Sequence, residues 1–302
     1  LDIYDPPLRD FLNLFRENTR EAEIAALFRK IEDFRVLLVG DTIIDEYEYV
    51  EALGKSMKEN IIATRFTGVE MFAGGIIAAA NHVASICREV EVVTVLGEDD
   101  SREDIIRAHL KANVKLHVVR AAGRPTTRKR RFVDPGYFRK LFEVYYMDDR
   151  PMAAAEQSQV ENLAARLAPK SDLVIVTDFG HGAIAPGTID VLSRQARFLA
   201  VNAQTNSGNQ GFNLITKYPR ADYICIDAPE ARLAIGDKYC DIETIVGQRL
   251  PERVRCQSIA VTHGGHGCYV WQPDRGVKRV PAFTKTIVDT VGAGDAFLAI
   301  TS

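Results

Sequence analysis

Asp289-Thr290-Val291-Gly292-Ala293-Gly294-Asp295-Ala296-Phe297 is the stretch on which the reading of this chain turns. Two glycines and an alanine stand just ahead of an aspartate, and an apolar run, Ala296 to Ile300, follows. The pattern predicts a Gly-rich turn that opens a helix. A helix N-terminus offers unpaired backbone N–H groups and the positive end of the macrodipole, a ready site for phosphate or another anion. Small residues let a ligand approach the backbone closely. Asp295 is then a carboxylate beside bound phosphate, placed to take a proton from an attacking hydroxyl. A lone Gly-x-Gly-Asp is commonly no more than a turn with a helix cap. The nine-residue string is far more specific.

Outward from that stretch, the composition is that of an ordinary globular chain. It has 302 residues, 46% hydrophobic and 26% charged, enough for a large core. A formal net charge of -3 gives no electrostatic case for a nucleic-acid partner. The densest basic run, Arg128-Lys129-Arg130-Arg131, sits in an alternating segment and reads as one charged face of an exposed strand. Five widely spaced cysteines without a Cys-x-x-Cys suggest neither a disulfide framework nor a zinc site, and reduced thiols in a cytoplasmic enzyme are the simplest account. No apolar stretch approaches the length of a membrane span. A chain that starts at Leu1 and stops at Ser302 within a helical pattern is expected to be a piece of something longer.

Residues 7–32 carry apolar side chains at helical spacing and predict one or two amphipathic helices. Arg35 to Val39 is a short apolar run ending in Gly40-Asp41, the pattern of a buried parallel strand. Helical and strand-like segments then alternate: helices near 75–88, 102–112 and 154–168, and strands near 90–96, 114–119, 172–177, 197–201, 222–226 and 257–262. Such alternation predicts an α/β fold, a doubly wound and mostly parallel sheet flanked by helices. Residues 46–70 and 125–148 break the rhythm. They are rich in Tyr, Phe, Val, Thr and charge, and Asp134-Pro135-Gly136 is a turn between the strand-like runs Thr126–Val133 and Tyr137–Tyr146. They predict a small β-sheet lid that covers a substrate beyond the strand ends, serves as a homodimer contact, or does both.

The chemistry-bearing residues cluster just after predicted strands. Asp45 ends Gly40-Asp41-Thr42-Ile43-Ile44-Asp45, placed to accept hydrogen bonds from sugar hydroxyls. Gly74 and Gly75 open a helix and allow close approach of a ligand or a strand. His181 lies in a loop after the strand near 172–177. Asn202 and Asn206 either bond phosphate or sugar or shape a turn. Asp227 and Glu230 read as an N-cap with an acid in the first turn. Thr262, Gly264 and Gly267 lie in a glycine turn between two strands. His263 and His266 lack the partners that zinc requires.

The opening string resembles the signature of the ribokinase-like (PfkB) carbohydrate kinases, Asp-Thr-x-Gly-Ala-Gly-Asp-x-Phe, and every fixed position matches. The run Gly40 to Tyr47 is most similar to the heptose-phosphate kinase branch, found in bacterial proteins that make nucleotide-activated heptose. The resemblance spans residues 36–302. It implies a ribokinase-like domain over 35–302, incomplete at its C-terminal end and with its lid at 46–70 and 125–148, behind a helical lead-in or linker at 1–34. It implies ATP and Mg²⁺, with Asp295 as catalytic base and Gly292, Ala293 and Gly294 as the anion hole. Asp45, Gly74 and Gly75 would hold the sugar. Thr262, Gly264, Gly267 and Asn202 would face the nucleotide, and Glu230 with Asp227 the magnesium. A fused nucleotidyltransferase domain in a parent chain is implied as well. Four positions depart from the pattern: Ala78 replaces an asparagine, with Asn81 one helical turn on; His181 replaces a lysine; the amide-rich run at Asn202 is unusual where the family often has Asp-Pro or Asn; Asp227 replaces an asparagine. The expectation is ATP-dependent phosphoryl transfer to a small sugar or sugar phosphate, without nucleic-acid or membrane partners. The rival readings are a non-catalytic sugar- or nucleotide-binding module and a nucleoside kinase on the same fold.

Overall fold

Along the first strand, Val36 and Leu38 point to one face of the sheet and Leu37 and Val39 to the other, and all four are buried. A strand apolar on both sides needs cover on both sides, and that requirement organises the chain. The computed structural model describes residues 4–136, 138–284, 286 and 289–302. In chain order its strands are β1 (Arg35–Lys55), β2 (Ile62–Gly75), β3 (Glu89–Gly97), β4 (Val114–Ala121), β5 (Arg128–Asp134), β6 (Arg139–Tyr146), β7 (Leu173–Asp178), β8 (Leu199–Ala203), β9 (Tyr223–Asp227), β10 (Ser258–Thr262), β11 (Cys268–Gln272) and β12 (Gly276–Val280). The main sheet runs β12-β11-β10-β9-β8-β7-β1-β3-β4. It is parallel from β4 to β10 and ends in the antiparallel hairpin β10-β11-β12.

Helices α4 (Ala154–Leu167), α5 (Pro186–Gln195) and α6 (Ala228–Ile235) supply Val160, Ala164, Leu192 and Ala231 to the core on one face. On the other face, α3 (Ile76–Val83) and the C-terminal helix Ala293–Thr301 supply Ile76, Ile77, Ala80, Leu298 and Ala299. The doubly wound prediction is therefore correct. The N-terminal helices α1 (Pro6–Asn18) and α2 (Glu21–Ile31) are tied on by an edge contact of Phe11 with Phe283 and by the Glu32–Arg88 ion pair.

Two corrections concern the lid. The first strand does not stop at Val39: β1 continues to Lys55, leaves the main sheet and becomes a strand of a second sheet. There β2 pairs with it antiparallel and β5 parallel, and β6 pairs with β5. The β5–β6 hairpin turns at Asp134-Pro135-Gly136 as expected, while Tyr137, at the expected start of the second strand, lies outside the described residues. The run Arg128–Arg131 is not an exposed face. Lys129 and Arg131 are 6% and 8% exposed and point into the molecule. Arg128 and Arg130 alternate to the other side of β5 and converge on Glu46, which is 2% exposed and accepts hydrogen bonds of 2.9 Å from Arg128 and of 3.0 and 3.1 Å from Arg130. Burying these cations is tolerable because β1 carries a carboxylate in register with them.

Candidate active site

The parallel strands end side by side, and their C-terminal residues form one edge. Thr262 is in register with Asp227, Ala203 with Asp178, and Thr177 with Gly40. In the main sheet the chain passes from β1 to β3 on one side and from its neighbour β7 to β8 on the other, so the connections diverge between β1 and β7, which opens a crevice at the strand ends. A cleft of about 600 Å³ lies there, between this edge, the lid and the N-terminus of the C-terminal helix. It is lined by Asp45, Gly74, Gly75, Ala78, Lys129 and Arg131 on one side, and by Gly292, Gly294 and Asp295 on the other.

Asp45 sits at the point where β1 crosses into the lid. Its carboxylate accepts a charge-assisted hydrogen bond from Arg131. Its other oxygen lies against Gly74, where a β-carbon would come within 2.1 Å of it. Gly74 thus makes room for this carboxylate, whereas Gly75, at a positive φ of 57°, lies against the Asp41 carbonyl of β1. Ala78 lines the cleft beside it, while Asn81 is engaged elsewhere, bonding the His109 carbonyl and the Lys111 amide.

Asp295 is half-buried in the first turn of the C-terminal helix, which Leu298 and Ala299 anchor in the core. Burial raises its pKa to about 7, Asp45 raises it further, and Lys129 opposes them. A carboxyl group that titrates near neutrality is suited to accept a proton at physiological pH. Gly292 precedes the helix at a positive φ of 75°, and β-carbons on Gly292 and Gly294 would meet nothing within 4 Å, so that backbone lies open to a ligand. Ala293 differs from its expected place: its N–H donates to the Thr290 carbonyl at 3.1 Å. Asp289 pairs with Lys140 of β6 at 2.9 Å, which ties this loop to the lid.

Behind the cleft, Asp41 is 3% exposed and accepts three backbone N–H groups of the loop after β7: Phe179 at 2.8 Å, His181 at 3.3 Å and Ala183 at 2.9 Å. It acts as an internal anion that shapes this loop and sets Phe179 into the cleft wall. Burial and the nearby Asp178 raise its pKa to about 6. Asp178 is itself held by Tyr218 at 2.5 Å and Lys217 at 2.5 Å. His181 is buried with its Nε2 unpartnered, and desolvation drops its pKa to about 4, so it stands neutral.

On the opposite flank, Asp227 and Glu230 form a reciprocal capping box. Asp227 accepts from the Glu230 N–H at 2.7 Å, and Glu230 accepts from the Asp227 N–H at 2.8 Å and from the Thr205 N–H at 2.9 Å. Burial and Asp227 raise the Glu230 pKa to about 7. Among the described residues no group of three or more acidic, His or Cys side chains is arranged to hold a metal ion. Asn202 donates to the Cys225 carbonyl at 2.8 Å, and Asn206 shapes a turn through Phe179, Gly208 and Asn209. In the β10–β11 turn Gly264 and Gly267 both have positive φ, and a β-carbon on Gly267 would lie 2.0 Å from the Val280 carbonyl oxygen. His263 and His266 pack against each other, ring centroids 4.8 Å apart.

The cleft therefore gathers Asp45, Gly74, Gly75, Gly292, Gly294 and Asp295. Thr262, Gly264, Gly267, Asn202, Asp227 and Glu230 sit on the same sheet edge but outside its lining. Lys129, Arg131, Lys140, Phe179 and the role of Asp41 were not legible in the chain. The one available signal was the alternation of the basic run opposite the acidic run Asp45-Glu46.

Residues 33–300 match the model of the pfkB family carbohydrate kinases. The bifunctional protein HldE of Pelobacter propionicus is 25% identical over 279 residues, 91% of this chain and 56% of the relative. That of Azotobacter vinelandii is 27% identical over 267 residues, 87% of this chain and 54% of the relative. The chain thus spans about half the length of the curated relatives it matches. Phosphofructokinase-2 from Escherichia coli, solved in complex with fructose-6-phosphate, superposes with a TM-score of 0.65 at 13% identity, covering 88% of this chain and 85% of that one. A putative ribokinase from Agrobacterium tumefaciens gives 0.63 at 20% identity, covering 88% and 82%. Both likenesses establish the ribokinase-like fold.

Proposed function

This chain belongs to the pfkB family of carbohydrate kinases, and from that premise we propose that it transfers the γ-phosphoryl group of ATP to a hydroxyl of a small sugar or sugar phosphate. The observation that carries the reading is Asp295. It is a half-buried carboxylate with a pKa raised to about 7, at an open helix N-terminus, across one cleft from Asp45 and Gly74. Asp45 holds acceptor hydroxyls. Asp295 takes the proton of the reacting hydroxyl as its oxygen bonds to the γ-phosphorus, while the bond from that phosphorus to the β–γ bridging oxygen breaks and ADP leaves. The backbone at Gly292 and Gly294 stabilises the charge that develops, the Ala293 N–H being engaged by the Thr290 carbonyl. Thr262, Gly264 and Gly267 would border the nucleotide.

Asp227 and Glu230 are suited to magnesium only through water or through phosphates, because most of their oxygens already accept backbone N–H groups. When bound, Mg²⁺ would neutralise phosphate charge. The kinase unit is read as 35–302 with the lid at 46–70 and 125–148. Exposed Phe66, Leu141, Phe142 and Val144 on the lid support a homodimer contact there. The relatives called bifunctional support a second activity in a parent protein, a nucleotidyltransferase by the heptose-kinase resemblance. Five free cysteines suit the reducing cytoplasm; no helix among the described residues is long and apolar enough to cross a membrane.

The test is a coupled ADP-release screen of the full-length protein over phosphorylated sugars, free sugars and nucleosides, repeated with Asp295→Asn. The variant is expected to lose roughly 10²–10⁴-fold in turnover with nucleotide binding spared. Wild-type kcat/KM should rise with pH through about 7, as Asp295 becomes ionised. Near-normal turnover by a folded Asp295→Asn chain would refute the mechanism.

A further inference from the structure

Lys129 is 6% exposed on β5 and lines the same cleft as Asp45 and Asp295. Among the described residues its ammonium has neither a hydrogen bond nor an ion pair; it lies over the ring of Tyr145, 5.2 Å from the centroid. An ammonium withdrawn from water without a partner is costly, and burial accordingly lowers its pKa. The other cation lining the cleft, Arg131, is committed to Asp45 and lies 3.5 Å from Glu143. Lys140 is committed to Asp289, and His181 is neutral.

The position of Lys129 indicates which anion it awaits. It is directly opposite Asp45 in the β1–β5 register, so both side chains leave the same face. The groups that feel its charge are Asp45, Arg131, Glu143 and Asp41, with His181 and Asp295 feeling it in turn, so it sits between the lid strands and the helix N-terminus. Its side chain therefore shares one cleft with Asp45 and Asp295, where the proton transfer proposed above would take place. A phosphoryl group in transit spreads negative charge over three oxygens, and open backbone N–H groups offer it only partial charges.

The geometry points to Lys129 as a catalytic residue that contacts the transferring phosphoryl group from the lid side, facing the Gly292–Gly294 backbone across it. This inference rests on the kinase reading above. It makes the lid a contributor of charge as well as a cover.

The test uses Lys129→Met, Lys129→Gln and Lys129→Arg in the full-length protein, assayed with a phosphorylated and a free-sugar acceptor. Met and Gln should lower kcat by roughly 10²-fold or more on both acceptors, with KM values within about threefold. Arg should recover at least about tenfold of that loss. The acid limb of the kcat/KM profile should move to higher pH in Met and Gln, because the charge that holds Asp295 down is gone. Their Tm should equal or exceed that of the wild type, since a buried unpaired charge has been removed. Turnover within threefold of wild type would overturn the proposal. So would a loss confined to KM for the phosphorylated acceptor, which would place Lys129 on the substrate's own phosphate. A lower Tm with no rescue by Arg would mark a structural role and overturn it too. A wild-type protein that releases no ADP with any acceptor would instead remove the kinase reading itself.

Discussion

Gly74→Ala tests the core geometry of the cleft most directly. An added β-carbon would lie 2.1 Å from one carboxylate oxygen of Asp45 and 3.2 Å from its carboxyl carbon. Real contacts of this kind stay beyond 3.0 Å, so the carboxylate must retreat by about 1 Å. The retreat also strains the hydrogen bond from Arg131 on the other oxygen. The Gly74 backbone has no positive φ, so alanine is permitted there, and the displaced side chain has an open cleft to move into. Stability should therefore fall by only about 1 kcal/mol, the low end for overpacking. A misplacement of about 1 Å in a substrate-positioning group costs on the order of 10²-fold. Coupled ADP release on the best acceptor should show kcat/KM lower by about that factor, and thermal melting should show a folded chain. If kcat/KM stays within threefold while Tm is unchanged, Asp45 does not hold the acceptor where the cleft places it.

Two further outcomes follow from buried carboxylates. Asp41→Asn leaves an amide facing three N–H donors, of which its single oxygen can satisfy two at most; stability should fall by about 1–3 kcal/mol. As the Phe179 wall loosens, acceptor KM should rise, and an unchanged Tm with unchanged KM would show that Asp41 does not organise this loop. The pH dependence of stability has a definite sign. Asp41, Glu230 and Asp295 are raised to about 6, 7 and 7, chiefly by burial, so the native state holds protons that the unfolded chain has released. Stability from these groups falls as pH rises from the ordinary carboxylate range through those values. His181, lowered to about 4, acts in the opposite sense below its ordinary value of 6.5, so the clean window lies above that. Tm should be higher near pH 6.5 than at pH 8, and the reverse order would refute the assignment.

The strand–helix alternation was readable because it is local. Val36 to Val39 are apolar on both sides, and only a sheet covered on both faces accommodates such a strand. The ends of those strands carried the polar residues, so the site's edge was readable as well. What lay beyond reach depended on which strand lies beside which. Apolarity alone marked β1 as ending at Val39, because Gly40-Asp41-Thr42 interrupts the apolar run and the residues beyond mix polar with apolar side chains that pair with β2 and β5. The basic run looked exposed because the carboxylate that buries it is far away in the chain. Its partner Glu46 is 82 and 84 residues away from Arg128 and Arg130.

The doubly wound α/β fold, the open glycine turn ahead of Asp295 and the order of the strand-end motifs were legible in the chain, since periodicity and turn chemistry act over a few residues. What those side chains do came with the assembled fold. Register placed Lys129 opposite Asp45, packing gave Asp41 three amide donors from a loop some 140 residues on, and a capping box and strand carbonyls engaged Glu230 and Asn202. The physical reason is that the charge state and availability of a side chain depend on burial and on partners distant in sequence, and those exist only once the sheet is assembled.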